Sequence, residues 1–199
     1  MNISDLYIKM AIIDIFQSEN SVFNLNDLSI ILKESNYNRL KNKVNYYVKT
    51  QKLIKLRAGI YAKNSKYNKL ELACKIYRPS YISLHTVLGI EGINFQFHDA
   101  IYICSKLNKE LVINGQKYVF KKIKDSILYD PRAIINKDGY SIASKERAVI
   151  DTLYFNKDFY FDHLDDLDWD KCNSLLELYQ NKSLEKRFKK LEESYQNAE

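Results

Sequence analysis

The sequence predicts an α+β protein in which short helices come first, a small antiparallel sheet with packed helices follows, and a helical tail ends the chain. Apolar residues recur at steps of three and four in the first 50 residues, alternate with polar residues from about residue 100, and return to helical spacing after residue 144. Only 5 Gly and 2 Pro occur among 199 residues. That is too little turn punctuation for an all-β sandwich.

The first 34 residues predict two helices separated by a short extended segment. The first covers residues 4 to 18, in which apolar side chains at helical spacing share one face. Residues 23 to 25 are extended, and Asn26 is the predicted N-cap of a second helix that ends near Glu34.

A third helix is predicted from a cap at Ser35 or Asn36 to about Gln51. Its buried stripe consists of Leu40, Val44, Tyr47 and Val48. The opposite face is polar and carries Asn38, Lys41, Asn42, Asn45 and Lys49. An amphipathic helix of this kind packs on a core and presents its polar face to solvent or to a ligand.

Two short strands follow the third helix. The runs Leu53–Leu56 and Ile60–Ala62 are separated by Arg57-Ala58-Gly59, where glycine permits the positive φ of a hairpin turn. Three helices with a short strand after the first, then a hairpin, form the order of a winged helix-turn-helix. In that fold the third helix enters the DNA major groove. We place the end of this domain at residue 67, giving domains 1–67 and 68–199.

Positive charge is concentrated in the third helix and the hairpin. The net charge is +6, yet residues 36 to 69 contain ten Lys or Arg and no Asp or Glu. Such a block is compatible with a solvated face, a membrane patch or a nucleic-acid contact; interleaved Asn and Tyr side chains favour nucleic acid. The predicted DNA-contacting residues are Asn38, Arg39, Lys41, Asn42, Asn45, Tyr46, Lys49, Lys55, Arg57 and Lys63.

The second domain is predicted to contain five strands and several helices. The strands are Ala100–Cys104, Glu110–Ile113, Lys117–Ile123, Ala133–Ile135 and Tyr140–Ala143, with hairpin turns at Asn114-Gly115 and Asp138-Gly139. Residues 80 to 83 lead into a short helix over 84 to 90. Ser144 begins a helix through Leu153, in which Arg147 is predicted to pair with a carboxylate between domains. Helices over 169 to 180 and 184 to 195 close the chain.

No residue pattern predicts catalysis or a cofactor. The three Cys and three His are scattered, so no metal site is expected. Ser80, Ser83 and His85 lie close together without the GxSxG turn of a hydrolase. The acidic residues between Asp162 and Asp170 lack the spacing of a calcium loop. No apolar run is long enough to span a membrane, so we expect a cytoplasmic protein. Because none of these residue patterns fits a catalytic or metal site, we also expect that the protein is not an enzyme and binds no cofactor.

Three segments of the chain carry a family resemblance: LIKLRAGIYA at 53–62, PSYISLHTVL at 79–88 and SKERAVID at 144–151. In order and spacing they resemble the AbiEi family of bacterial antitoxins and related winged-helix regulators. The resemblance covers roughly residues 20 to 155. It implies a recognition helix around Arg39 to Lys49 and a wing around Lys55 to Lys63 that bind inverted repeats in the protein's own promoter.

The same resemblance implies that the C-terminal domain neutralises a toxin of the nucleotidyltransferase type, in a type IV toxin-antitoxin pair linked to abortive infection. The leading hypothesis is therefore a DNA-binding transcriptional regulator that autorepresses as an antitoxin, either as a monomer or with two copies on an inverted repeat. The competing hypothesis is a protein-binding adaptor without sequence-specific DNA reading. Residues 151 to 199 support it, because twelve acidic residues there outnumber seven basic ones.

Overall fold

The structure of the protein, a computed structural model, describes residues 12–96 and 99–196. The chain divides into two compact units, Met1–Ile76 and Tyr77–Glu199. Each unit contains helices and a β-sheet, which confirms the mixed α+β class. Residues 4 to 11 of the first predicted helix lie outside the described residues.

The first unit builds its core from short helices and a three-stranded antiparallel sheet of order β1-β3-β2. Its elements are α1 (12–17), β1 (Val22–Asn24), α2 (Leu25–Ile31), α3 (Tyr37–Lys49), β2 (Ile54–Arg57), β3 (Ile60–Ala62) and α4 (Lys69–Ile76). One buried cluster joins Ile15 of α1, Phe23 of β1, Leu28 of α2, Val44 of α3 and Tyr61 of β3. Each of these elements therefore buries its apolar side in the same core.

Helix α2 begins two residues earlier than predicted, and the prediction of Asn26 as its N-cap is wrong. Asn24 caps the helix: its side chain accepts from the Asp27 backbone N–H at 2.9 Å, and the Asp27 carboxylate accepts from the Asn24 backbone N–H at 2.9 Å. This reciprocal pair satisfies two N–H groups that a helix start otherwise leaves unpaired. Asn26 instead lies exposed in the first turn.

Helix α4 belongs to the first unit, so the division lies after Ile76 and not at residue 67. The buried Glu71 carboxylate accepts from the Ser21 and Val22 backbone N–H groups at 2.7 and 2.8 Å and from the Ser21 hydroxyl at 2.9 Å. One turn later, Lys75 pairs with Asp27 at 2.5 Å. The polar stretch before α4 resembles a linker in sequence, but these long-range contacts fasten α4 to β1 and α2.

The second unit contains a six-stranded sheet of order β6-β7-β5-β4-β9-β8 and five helices within the described residues. Its strands are β4 (Ser80–Ile82), β5 (Ala100–Ser105), β6 (Lys109–Ile113), β7 (Gln116–Lys122), β8 (Ile134–Lys137) and β9 (Tyr140–Ala143). Its helices are α5 (His85–Ile90), α6 (Asp125–Leu128), α7 (Lys145–Phe155), α8 (Trp169–Tyr179) and α9 (Lys182–Gln196).

The sheet is mixed, which corrects the prediction of an antiparallel one. The β6–β7 and β8–β9 hairpins are antiparallel, but β5 pairs with β7, and β4 with β9, in parallel. The turn residues at 114–115 and 138–139 determine only the two hairpins. They do not determine which other strand each hairpin pairs with: β6 lies at the sheet edge, and β7 lies beside β5. The central strand β4 was predicted only as a lead-in to a helix because it is three residues long.

Helix α7 carries a buried charged pair. Ser144 caps it, as predicted, by accepting from the Arg147 backbone N–H. Arg147 pairs with Asp151 of the same helix at 3.7 Å, and neither side chain has exposed surface. The prediction that Arg147 pairs between domains is therefore wrong. The Asp151 carboxylate also accepts from the hydroxyls of Tyr81, Ser83 and Tyr179, at 3.0, 2.7 and 2.6 Å.

Candidate nucleic-acid interface

Helix α3 is held in the first unit by one apolar face. Asn36 caps it, since its side chain accepts from the Arg39 backbone N–H at 3.1 Å, as one of the two predicted caps. Leu40, Val44 and Tyr47 are buried at 3 %, 0 % and 0 % exposure. Their spacing of four and three residues places them on one side of the helix. The orientation of α3 about its own axis is thereby fixed, which determines the residues it presents to solvent.

The opposite side of α3 is a continuous polar and basic face. Its exposed residues are Asn38, Arg39, Lys41, Asn42, Asn45, Tyr46 and Lys49. Arg and Lys recognise guanine edges and phosphates, and Asn recognises adenine edges through its amide. All seven predicted contact residues of the third helix thus share one exposed surface, which we call the α3 face.

Local contacts shape the side chains around the α3 face. The Lys41 ammonium lies 5.2 Å from the Tyr37 ring centroid, and the Lys52 ammonium lies 5.9 Å from that of Tyr46. Lys43 pairs with Glu34 at 3.3 Å. The Asn36 backbone N–H, the Lys43 ammonium and more distant charge hold the pKa of the Glu34 carboxyl below its ordinary value. Lys43 is thereby partly neutralised beside the face, whereas Lys41 and Lys49 are in no ion pair with a described residue.

The β2–β3 hairpin follows α3 directly. The Lys52 and Leu53 backbone N–H groups donate to the Tyr47 carbonyl at 2.8 and 3.1 Å, and Leu53 is buried in the core cluster. Along β2, exposed Lys55 and Arg57 alternate with less exposed residues, so both lie on the outward side. Gly59 takes φ +75° at the turn, a conformation that costs a glycine little.

Lys63 is a predicted contact residue whose charge is engaged elsewhere in the first unit. It is half-buried, and its ammonium donates to the backbone carbonyls of Phe16 and Ser18. These carbonyls end α1, where a cation is favourable because the last helical carbonyls lack intrahelical partners. The sequence places Lys63 in the basic block, but only the fold shows that its charge is used at the end of α1.

The acidic residues of the second unit are largely used locally. The Asp162 carboxylate accepts from the Phe95 backbone N–H at 2.8 Å, Asp165 pairs with His163 at 2.9 Å, and Asp168 caps α8. In the parts of the chain that the structure describes, no group of three His, Cys, Asp or Glu side chains is arranged to hold a metal ion. Likewise, no described helix is long and apolar enough to cross a membrane.

Comparison with known proteins identifies no family for the chain. No protein-family model and no curated protein matches it. The resemblance to the AbiEi family therefore stays a prediction from the three sequence segments.

Proposed function

We propose that this protein is a transcriptional regulator that binds double-stranded DNA through its first unit, with that unit acting as a winged helix-turn-helix. One observation carries the proposal. The α3 face exposes seven residues suited to DNA contacts, while the other side of the same helix is fixed in the core by Leu40, Val44 and Tyr47. A helix so fixed presents a rigid set of donors, which is what reading base edges in a groove requires.

In this proposal α3 is the recognition helix and the β2–β3 hairpin is the wing. Asn38, Asn42 and Asn45 lie at helical spacing, where amide side chains reach base edges in the major groove. Lys55 and Arg57 on the outward side of β2 contact phosphates, which raises affinity without selecting sequence. Repression follows from occupancy, because a bound protein excludes polymerase from the promoter, and no cofactor is needed.

The test is binding of the full-length protein to its own upstream DNA and to a scrambled duplex, titrated with salt. We expect specific binding with a steep salt dependence, since each bound phosphate releases condensed counterions. Combined Lys41→Glu and Lys49→Glu substitutions should weaken operator binding by about a hundredfold or more. They should also flatten the slope of log K against log salt by about one for each phosphate that the variant no longer binds.

A matched control makes the same charge change elsewhere. Lys186 and Lys189 are exposed on α9 in the second unit, and the combined Lys186→Glu and Lys189→Glu protein should bind the operator with unchanged affinity. Unchanged binding by the Lys41 and Lys49 variant would show that α3 is not the recognition helix. Equal weak binding of the wild type to both duplexes would instead favour the adaptor hypothesis and a protein partner.

We also propose that the regulator is the autorepressing antitoxin of a type IV toxin-antitoxin pair. This rests on the three segments that resemble the AbiEi family. Two of them, residues 79–88 and 144–151, supply Tyr81, Ser83 and Asp151, which meet in one buried hydrogen-bond cluster. A nucleotidyltransferase-type toxin encoded beside this gene should arrest growth alone and not when co-expressed. Failure of rescue would contradict the antitoxin role and leave the DNA-binding proposal standing.

A further inference from the structure

An open cavity of about 590 Å³ lies in the second unit, between the end of α7 with the segment after it and one face of α9. Its volume falls in the range typical of small-molecule sites. The α7 side contributes Leu153 and residues 157–160, and α9 contributes side chains from Ser183 to Ser194. The cavity lies in a different unit from the α3 face, so a ligand site here does not rest on the DNA-binding proposal.

One face of α9 forms a wall of the cavity. Ser183, Arg187, Lys190 and Leu191 line it at helical spacing, whereas Leu184 and Phe188 on the adjacent side of the helix are fully buried. The same kind of packing that fixes α3 in the first unit therefore fixes α9 here. Its basic side chains are held toward the cavity by the burial of Leu184 and Phe188.

Arg187 is held in place by uncharged partners. Its two terminal nitrogens donate to the Leu153 carbonyl and to the Ser183 hydroxyl, each at 2.9 Å. Its Nε–H is buried and has no hydrogen-bond acceptor among the described residues. A guanidinium has five N–H donors and keeps its charge at any physiological pH. The side chain is thus pre-positioned, while no carboxylate of the described chain balances its positive charge.

The cavity has an excess of positive charge. Lys157, Arg187 and Lys190 line it against a single acid, Asp158. None of the three cations is in an ion pair with a residue of the described chain. Like charges gathered around a concave surface repel one another and concentrate the field inside it. An anion bound there would relieve that repulsion. Asp158 balances one of the three cations, and a phosphate dianion matches the charge of the remaining two.

Aromatic surface lies beside these cations. Phe159 and Tyr160 both line the cavity, and the Tyr160 side chain is 77 % exposed. Phe159 is held by ring contacts to His85 and Phe161, at 5.3 and 4.8 Å between centroids. Exposed aromatic rings next to cations are suited to a planar ring that carries a negatively charged group.

We propose that this cavity binds a small organic anion in which a phosphate is joined to a planar ring, such as a nucleoside monophosphate. Arg187 and the two lysines bind the phosphate, with Arg187 supplying the fixed charge and the lysines closing on it from the rim. Tyr160 covers the planar ring. Leu191 and the buried Leu153 provide the apolar part of the lining.

Calorimetric titration of the full-length protein tests the site, using AMP and phenyl phosphate as probes. Adenosine supplies a ring without phosphate, and inorganic phosphate supplies the charge without a ring. We expect both AMP and phenyl phosphate to bind, and each single-component probe to bind about tenfold more weakly or worse than AMP. Combined Lys157→Gln and Lys190→Gln substitutions, and separately Tyr160→Ala, should each weaken AMP binding by about tenfold.

The control variant carries Lys186→Gln and Lys189→Gln, which remove two exposed charges from the same helix outside the cavity lining. It should bind AMP as the wild type does. The proposal is overturned if AMP does not saturate the protein at millimolar concentration, or if the Lys157 and Lys190 variant binds as tightly as this control. Inorganic phosphate binding as tightly as AMP would overturn the assignment of a ring-bearing ligand.

Discussion

Arg147 and Asp151 are both fully buried charged residues of the second unit. Removing both charges from water costs several kcal/mol per ion, which their attraction repays only when the remaining donors and acceptors are satisfied. Three hydroxyls donate to the Asp151 carboxylate, and the terminal nitrogens of Arg147 donate to the carbonyls of Arg132 and Ile127 at 2.9 and 2.8 Å. The Arg147 Nε–H faces Asp151 at 3.7 Å and has no hydrogen-bond acceptor among the described residues. The pair therefore joins α7 to β4, α6 and α8 at one buried point.

We expect Asp151→Asn to destabilise the protein by about 3 kcal/mol or more, because it leaves the Arg147 guanidinium buried without its carboxylate. The amide oxygen keeps some of the hydroxyl contacts, so the decrease in stability reports mainly the charge. Urea unfolding followed by near-ultraviolet circular dichroism measures it. Asp166→Asn, on the exposed loop before α8, is the matched control and should change stability by less than about 0.5 kcal/mol. Equal stability of the two variants would contradict a stabilising role for the Asp151 charge.

The sequence is informative about exposure wherever a residue's environment depends on its own helix. The polar face of α3 could be predicted because helical spacing alone separates Asn38, Lys41 and Lys49 from Leu40 and Val44. Lys63 and Asp151 could not be placed in this way. Lys63 donates to carbonyls at the end of α1 that lie 45 and 47 residues away along the chain, and Asp151 accepts from Tyr81 of β4, which lies 70 residues away. No local pattern records such contacts.

Helix starts depend on short-range chemistry, yet two neighbouring asparagines can compete for one cap. Asn24 and Asn26 both precede apolar helical spacing, and only Asn24 has an acid three residues later to complete the reciprocal pair. Asn24→Ala should cost about 1 kcal/mol of stability, whereas Asn26→Ala should be close to neutral. Thermal unfolding of the two variants compares them directly. A larger destabilisation by Asn26→Ala would mean that the helix begins where the apolar spacing alone places it.

The sheet of the second unit separates what neighbouring residues determine from what they do not. Asn114 and Gly115, with φ of 48° and 78°, form the tight turn that aligns β6 with β7, and this hairpin was predictable. The parallel pairing of β5 with β7 and of β4 with β9 joins strands that are not consecutive in the chain. Such pairings are favoured when both faces of a central strand are buried. A strand of three residues, such as β4, is too short for its sequence to show that pattern.

Charge is unevenly divided over the whole molecule. Residues 1–76 contain 13 Lys or Arg and 6 Asp or Glu, whereas residues 77–199 contain 18 and 19. The first unit is therefore the strongly basic one, which suits the proposed DNA contact. The second unit is nearly neutral as a whole but places acids on the loop before α8 and bases on α9. This local separation explains why a cationic cavity occurs in the half of the chain where acidic residues are most numerous.

The extent of the first unit leads to a sharp prediction about independent folding. A fragment of residues 1–76 should unfold cooperatively, because α4 completes the core and Glu71 accepts three hydrogen bonds from Ser21 and Val22. A fragment of residues 1–67 lacks these bonds and the Lys75 pair with Asp27. The Ser21 and Val22 N–H groups then lose their charged acceptor, and the two lost hydrogen bonds cost about 3 kcal/mol or more in total.

Circular dichroism and the chemical-shift dispersion of the amide protons show which of the two fragments is folded. We expect a folded spectrum for 1–76 and a largely unfolded one for 1–67. The 1–76 fragment with Glu71→Gln provides the intermediate case, because the amide oxygen still accepts from the two backbone N–H groups without the charge. Equal stability of 1–67 and 1–76 would show that α4 is dispensable, since a core complete without it needs neither Glu71 nor Lys75. Operator binding by the 1–76 fragment is a separate outcome, and it would assign DNA recognition to the first unit alone. That fragment keeps α3 and the hairpin and lacks every charge of the second unit.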